Sequence, residues 1–339
     1  MPQRARYQRE FTQAISVVLF GFLVLASPTA AQNVLIETAT LTAARESVRI
    51  YSQPIRVDAP PPTVNPVRLP GTTHIGPSIR GANGMTATLT GEHSLLGTSH
   101  YLSGMSISAP NAFEVSSREI ALENPRIAGI TRGTPNSPSR TVLVGTVKSG
   151  PITGQGAIEV RPADAGPAFA FQDHAAQWLL PGVPAAAVVH DSANWVAALC
   201  WTPKGAAVLH VRDVVSGRIV QERAPVSAPQ DQLEPAALSI HEAPGAILVI
   251  LNATGPEAGD EGRCLAMVFD SRLFTLRGTP IEVTGQFTTG CSIVPSDDGA
   301  WWITTRTPSA GFAYVSRISP TAAGYERSRA FSYSGVTHP

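Results

Sequence analysis

Short apolar runs alternate with polar turns along most of this 339-residue chain, and three of these stretches are alike. They are VVHDSANWVA (188–197), SIHEAPGAIL (239–248) and IVPSDDGAWW (293–302). Each has a short apolar strand ending in His or Pro, then a polar turn, then a more strongly apolar strand. The equivalent residues His190, His241 and Pro295 are separated by 51 and 54 positions. A period near 50 in a chain of short strands indicates an array of similar β-units.

The remainder of each copy predicts two more strands. In the first copy a second strand at 195–201 is followed by a third at 206–212, and HVRDVVSGRIVQER (210–223) is the hairpin that ends the unit. The other copies place their third strands at 264–269 and 312–318, although the second copy carries a long insert at 253–262. Glycines near the turns suit hairpins that require a positive φ. The repeating unit is therefore expected to have four antiparallel strands.

Residues 185–331 resemble the YVTN and WD40-like β-propeller repeat. The resemblance rests on turn residues that recur in such repeats, namely Asp191-Ser192-Ala193-Asn194, Asp213 with Ser216-Gly217, and Ser296-Asp297-Asp298-Gly299. The third copy departs from the pattern because Arg317 replaces the Asp. The resemblance implies a β-propeller of four-stranded blades. It implies little about activity, because propellers host many functions.

We therefore interpret residues 32–339 as one all-β domain, a β-propeller with weak repeats at 32–184 and clear repeats at 185–331. No stretch beyond the N-terminus shows a sustained apolar stripe of helical period. The period near 50 divides these 308 residues, 339 minus 31, into six or seven blades. An N-terminal β-sandwich followed by a partial β-repeat array is the alternative.

The first 31 residues have the layout of a secretory signal peptide. Arg4, Arg6 and Arg9 precede an uncharged apolar run at 14–26, and small residues surround a cleavage site after Ala31. The run is shorter than the roughly 20 residues that cross a bilayer, although an uncleaved anchor is the alternative. We expect a secreted or periplasmic protein with no stable membrane span after cleavage.

Composition and the absence of certain motifs argue against several classes of function. The formal net charge is zero and only 15% of residues are charged, which argues against nucleic-acid binding. The sequence lacks GxSxG, HExxH, GxxxxGK[ST], GxGxxG and CxxC motifs. We expect no cofactor, no metal, and a monomeric, non-catalytic propeller that binds a protein or carbohydrate ligand. The alternative is a lactonase-like or glycosidase-like hydrolase with its site at the mouth of the central channel.

Five polar residues are the candidates for a ligand site. His190 and His241 end the first strand of two repeats, and the first strand of a propeller blade lines the channel, so a ligand contact or a repeated structural hydrogen bond is expected there. The full set at the channel mouth is His190, Asp191, His241, Glu242 and Arg306. Of the three cysteines, Cys264 and Cys291 are the candidate disulfide, whereas Cys200 lies in an apolar run and is interpreted as a small buried hydrophobe.

Overall fold

The structure is a computed structural model. It describes residues 34–41, 48–55, 67–68, 74–80, 86–94, 97–109, 112–133, 138–163, 171–172, 175–190, 192–223, 232–241, 245–255, 259–307 and 312–334. The predicted signal peptide at 1–31 lies outside the described residues. The described residues contain no helix, and hence none long and apolar enough to span a membrane.

All regular structure in this part of the chain is β-strand. In chain order the strands are β1 (Val34–Leu41), β2 (Val48–Ile55), β3 (Val67–Arg68), β4 (His74–Arg80), β5 (Thr86–Ser94), β6 (Gly97–Ala109), β7 (Ala112–Ile120), β8 (Leu122–Ile130), β9 (Ser139–Val147), β10 (Gly156–Ala163), β11 (Ala176–Leu179), β12 (Val183–His190), β13 (Trp195–Trp201), β14 (Ala207–Asp213), β15 (Ile219–Arg223), β16 (Gln232–His241), β17 (Ala246–Gly255), β18 (Gly259–Asp270), β19 (Ile281–Thr284), β20 (Gly290–Pro295), β21 (Trp301–Arg306), β22 (Phe312–Thr321) and β23 (Gly324–Ser334).

These strands form sheets from consecutive segments of the chain. Five sheets have four strands each, β4–β7, β8–β11, β12–β15, β16–β19 and β20–β23, and β1–β3 form a three-stranded sheet. The chain divides into two compact units. The first holds β1 to β3 and β5 to β7, the second holds β8 to β23, and the division falls within β4, after Ser78.

The second unit shows how the blades are arranged. The first strands of its four sheets contact one another in chain order, β8 with β12, β12 with β16, and β16 with β20. Four-stranded antiparallel sheets that meet along their first strands are propeller blades, so the all-β propeller prediction is confirmed. The insert predicted at 253–262 instead lengthens a hairpin, because β17 and β18 stay paired as far as Gly255 and Gly259.

The hydrophobic cores lie between neighbouring sheets. Side chains of a strand point alternately to its two faces, and β13 shows the consequence. Trp195, Ala197 and Leu199 pack toward the β16–β19 sheet, whereas Val196, Ala198 and Cys200 pack toward the β8–β11 sheet. A strand buried on both faces reads as a continuous apolar run. This explains why β13 and β17 carry strong apolar runs in the sequence.

Aspartates fix the turns between the third and fourth strands. The Asp213 carboxylate accepts hydrogen bonds from the backbone N–H of Val215 (3.0 Å) and Ser216 (2.7 Å). In the next sheet Asp270 accepts from the N–H of Leu273 and pairs with Arg277. The Arg277 hydrogen bond is the first cause that lowers the pKa of Asp270 to about 2. These contacts give a physical role to the repeated Asp of the sequence pattern.

The hairpin at 210–223 contains a part-buried polar network centred on His210. Nδ1 of His210 lies 2.8 Å from a Glu222 carboxylate oxygen, and Nε of Arg212 donates to Nε2 of His210 over 3.3 Å. Because Arg212 can only donate, Nε2 accepts and the proton of the neutral ring stays on Nδ1, toward Glu222. His210 is 1% exposed. Desolvation by burial lowers its pKa, with the Arg212 charge adding to that effect and the Glu222 hydrogen bond opposing it.

This network predicts a pH-dependent stability. Native His210 resists protonation, whereas the unfolded chain binds a proton at a pKa near 6.5. The His210 contribution is therefore fully present above pH 6.5 and is lost as the pH falls through 6.5 toward the lower native pKa. We expect urea midpoints to fall between pH 7.5 and pH 5.5, with a shallower fall in His210→Gln. Parallel pH profiles for the two proteins would contradict this assignment.

Candidate functional site

The two repeated histidines lie at the ends of β12 and β16 and bind turns. Nδ1 of His190 accepts from the N–H of Ala193 over 3.2 Å, and its ring contacts the Trp195 ring in a tilted arrangement at a centroid distance of 4.9 Å. Nε2 of His241 donates to the carbonyl of Ser296 in the next sheet over 2.6 Å. Each imidazole therefore has a structural hydrogen bond to backbone. A ligand-binding role for either one stays a prediction.

The other predicted channel residues do not join the histidines as a described cluster. Asp191 and Glu242 lie outside the described residues. Arg306 is exposed at the end of β21, opposite Gly290 at the start of β20, whereas His241 contacts Ser296, which follows the end of that strand. Gly290 and Ser296 stand at opposite ends of the six-residue strand β20, and the length of this strand separates them by about 17 Å. The antiparallel register thus places Arg306 at the opposite end of the sheet from His241.

A cavity of about 300 Å³ lies instead along the first strands of the four sheets in the second unit. We call it the inner-strand cavity. Its lining comes from equivalent segments of β8, β12, β16 and β20, with Val144 of β9, and consists of residues 126–127, 185–187, 236–238, Cys291 and Ile293. A cavity of this volume lies at the lower end of the range for small-molecule sites.

A shared backbone irregularity shapes two of the cavity walls. The β12–β13 register shifts between Pro184 and Ala186, and the β16–β17 register shifts between Pro235 and Ala237. Each shift is a β-bulge that leaves the residue after the proline without a Cα partner. Proline suits this place because it has no N–H to donate to a ladder. Alanines follow both prolines, and their small side chains leave room for the cavity.

Arg126 and Cys291 are the chemically distinctive groups of the lining. Arg126 stands on β8 after Pro125, where β12 and β16 carry alanine after their prolines. Burial raises the pKa of the Cys291 thiol to about 12, so this group stays protonated at neutral pH and is a poor nucleophile. The geometry offers apolar contact surface, one permanent cation and a neutral thiol.

Sequence reasoning missed these lining residues, although a signal for them exists. Pro-Ala-Ala occurs at 184–186 and again at 235–237, and Pro125-Arg126-Ile127 occupies the same place in β8. A proline within the first four residues of β8, β12 and β16 is a repeated signal that marks the place of the bulges. The histidines of the clear repeat lie at the far ends of β12 and β16, away from these prolines.

Cys264 and Cys291 lie in the same hydrophobic core between the β16–β19 and β20–β23 sheets. Both carry free thiols in this structure. Burial raises the pKa of Cys264, and the nearby Cys291 raises it further, which places the two sulfur atoms within electrostatic range of each other. The disulfide between them stays a prediction.

Thiol counting tests this disulfide. In protein recovered from an oxidising compartment and denatured without reductant, we expect one reactive thiol, that of Cys200, and three after reduction. Cys200→Ser should then give none before reduction, and peptide mapping should recover a linked pair. Three reactive thiols in the unreduced wild type would contradict the disulfide.

The described residues do not form a cluster that could bind a metal ion. Within the described ranges, no group of three or more His, Cys, Asp or Glu side chains could hold an ion. In the described part of the chain, the inner-strand cavity is the candidate site.

Comparisons with known proteins find only remote similarity to this chain. No protein-family model matches the chain, and no curated protein matches its sequence. A chain of the mitotic checkpoint complex is 11% identical with a TM-score of 0.48, over 95% of this chain and 90% of that one. A protein from Lactobacillus plantarum is 11% identical with a TM-score of 0.47, over 87% and 81%.

Puromycin hydrolase is 15% identical with a TM-score of 0.48, and the match covers 87% of this chain but 44% of that one. The present chain thus spans less than half the length of that hydrolase. Because these similarities are remote, we assign the fold from the arrangement of the sheets. Consecutive four-stranded antiparallel sheets, joined along their first strands, make this chain a β-propeller.

Proposed function

We propose that this chain is a non-catalytic β-propeller binding protein that acts outside the cytoplasm and takes a small ligand in the inner-strand cavity. The observation that carries the proposal is the composition of the cavity walls. Alanine, isoleucine, valine and leucine side chains supply contact surface, and the Arg126 guanidinium supplies a charged polar group. Such a lining favours burial and orientation of a ligand.

The lining also bears on the hydrolase alternative. Hydrolysis requires a nucleophile or a general base whose pKa lies near the working pH. The Cys291 sulfur is unsuited to both tasks, whether as a thiol with a pKa of about 12 or as half of the predicted disulfide, and an arginine side chain keeps its proton at neutral pH. The chemistry available at the cavity therefore supports binding over turnover.

The extracytoplasmic location rests on the N-terminal sequence. Three arginines, the apolar run at 14–26 and the small residues before Gln32 together direct export and cleavage. Expression of the full chain in a bacterial host tests this: we expect the protein in the periplasm or medium, with Gln32 as its first residue. Recovery from the cytosol with residues 1–31 intact would contradict export.

Binding is tested by ligand-observed NMR on the purified protein. The panel contains neutral sugars, sugar acids, amino acids and small aromatic amides and acids. Ala186→Leu places a larger side chain in the cavity lining, and Ala206→Leu places the same side chain at an exposed position outside it. We expect at least one compound to bind the wild type and Ala206→Leu but not Ala186→Leu.

Turnover is measured on the same proteins with lactone, aryl glycoside and aminoacyl ester substrates. We expect no turnover. A hydrolytic activity that is present in the wild type and lost in Ala186→Leu would show that the cavity is catalytic. Equal ligand binding by wild type and Ala186→Leu would instead move the binding site elsewhere.

A further inference from the structure

Among the described residues that line the inner-strand cavity, Arg126 alone carries a formal charge. The other described lining side chains are alanines, larger aliphatic residues and Cys291. The Cys291 sulfur is uncharged both as a thiol, whose pKa burial raises to about 12, and in the predicted disulfide with Cys264. Arg126 is itself exposed, so its charge stays hydrated while no ligand is present. The described lining thus combines aliphatic side chains with one positively charged group.

A hydrogen bond across two sheets holds the Arg126 side chain. Nη1 of Arg126 donates to the carbonyl oxygen of Ala185 on β12. Ala185 is the residue that the β-bulge leaves without a Cα partner on β13. A guanidinium has five N–H donors in a fixed planar fork, and this bond uses one of them. The side chain is therefore oriented by β12 and keeps donors for a ligand.

Arg126 differs from the charged pairs found elsewhere in the fold. Arg161, Arg277 and Arg317 each form an ion pair with a carboxylate, those of Glu159, Asp270 and Asp298. No described carboxylate forms an ion pair with Arg126, whose hydrogen bond goes to a neutral carbonyl. An arginine that no described carboxylate neutralises creates a local positive potential that attracts anions.

We propose that the inner-strand cavity selects an organic anion, with a carboxylate or phosphate on the Arg126 guanidinium and an apolar body against the alanines of β12 and β16. This inference rests on the proposed binding function and names its ligand class. Arginine suits such an anion because its planar fork forms two parallel N–H···O bonds. The cavity volume of about 300 Å³ suits a ligand the size of a small aromatic acid.

Isosteric probes that differ in charge test the selection. Benzoate, phenyl phosphate, benzamide and benzylamine are titrated into the full purified chain by NMR, with Arg126→Gln, Arg126→Lys and Arg218→Gln as variants. Arg218 is an exposed arginine of the turn after Asp213, so its variant removes the same charge outside the cavity. Circular dichroism and thermal midpoints check that every variant stays folded.

We expect the wild type to bind benzoate or phenyl phosphate at least about tenfold more tightly than benzamide. Arg126→Gln should abolish this preference, Arg126→Lys should retain part of it, and Arg218→Gln should leave it intact. The relative affinities for benzoate and phenyl phosphate distinguish a carboxylate site from a phosphate site. Higher salt should weaken the binding of the anions and leave the affinity for benzamide unchanged.

The two proposals fail in different ways. If neutral compounds bind in the wild type and are blocked by Ala186→Leu, but the anions show no advantage, the anion inference is overturned and the binding function stands. An anion preference that survives Arg126→Gln also overturns it. If no compound in either set binds, the proposed binding function itself is rejected.

Discussion

Replacing Trp301 by alanine is expected to lower the free energy of unfolding by about 4 kcal/mol, the largest effect of any single substitution argued for this fold. Trp301 is fully buried in the core between the β16–β19 and β20–β23 sheets. Its ring meets the rings of His241 at 5.7 Å and Tyr325 at 5.4 Å. Alanine would leave a cavity between two blades that rigid sheets cannot close.

The adjacent Trp302 is the matched control. It points to the opposite face of β21, where it is half-buried and the Arg317 guanidinium lies 5.6 Å from the centre of its ring. Trp302→Ala should cost about 1 kcal/mol, since it removes a cation–π contact and little buried area. Urea unfolding of both variants provides the measurement. Equal losses would show that Trp301 does not anchor the junction between the two sheets.

The pattern of the sequence predicted the blades well where strands are buried on both faces. The strand at 195–201 was located to the residue, because every position from Trp195 to Cys200 is buried and turn residues flank the run. The repeat was faint before residue 185, yet β4–β7 and β8–β11 form the same four-stranded unit there. In β8 the register shifts twice, and Asn124 adopts a positive φ of 49°. These irregularities break the alternation on which pattern reading depends.

The candidate site was harder to predict than the fold. The position of Arg306 follows from strand direction alone, because a second strand ends where its antiparallel partner begins. The inner-strand cavity depends on bulges and on the small size of alanine, and alanine carries no chemical signal of its own. Arg126 is a candidate ligand-binding residue only because the fold places β8 beside the alanines of β12.

Replacing Gly182 by alanine is expected to destabilise the protein by about 3 kcal/mol or more, because the added methyl group would meet backbone. It would lie 2.1 Å from the carbonyl oxygen of Trp201, and the carbonyl of Gly182 in turn lies 1.9 Å from where a methyl on Gly156 would sit. Three backbone segments of two sheets therefore approach more closely than any Cβ allows. Backbone atoms paired in β13 cannot move aside as a flexible side chain would.

Gly290 provides the control for this effect at the start of another first strand, β20. A methyl group there would find no atom within 4 Å. Gly290→Ala should change the stability by less than about 0.5 kcal/mol, and it can even stabilise the fold by restricting the unfolded chain. The difference between the two urea midpoints isolates the steric contact from the general cost of removing a glycine. If Gly182→Ala unfolds within error of Gly290→Ala, the segment before β12 does not lie against the Trp201 backbone as closely as the structure places it.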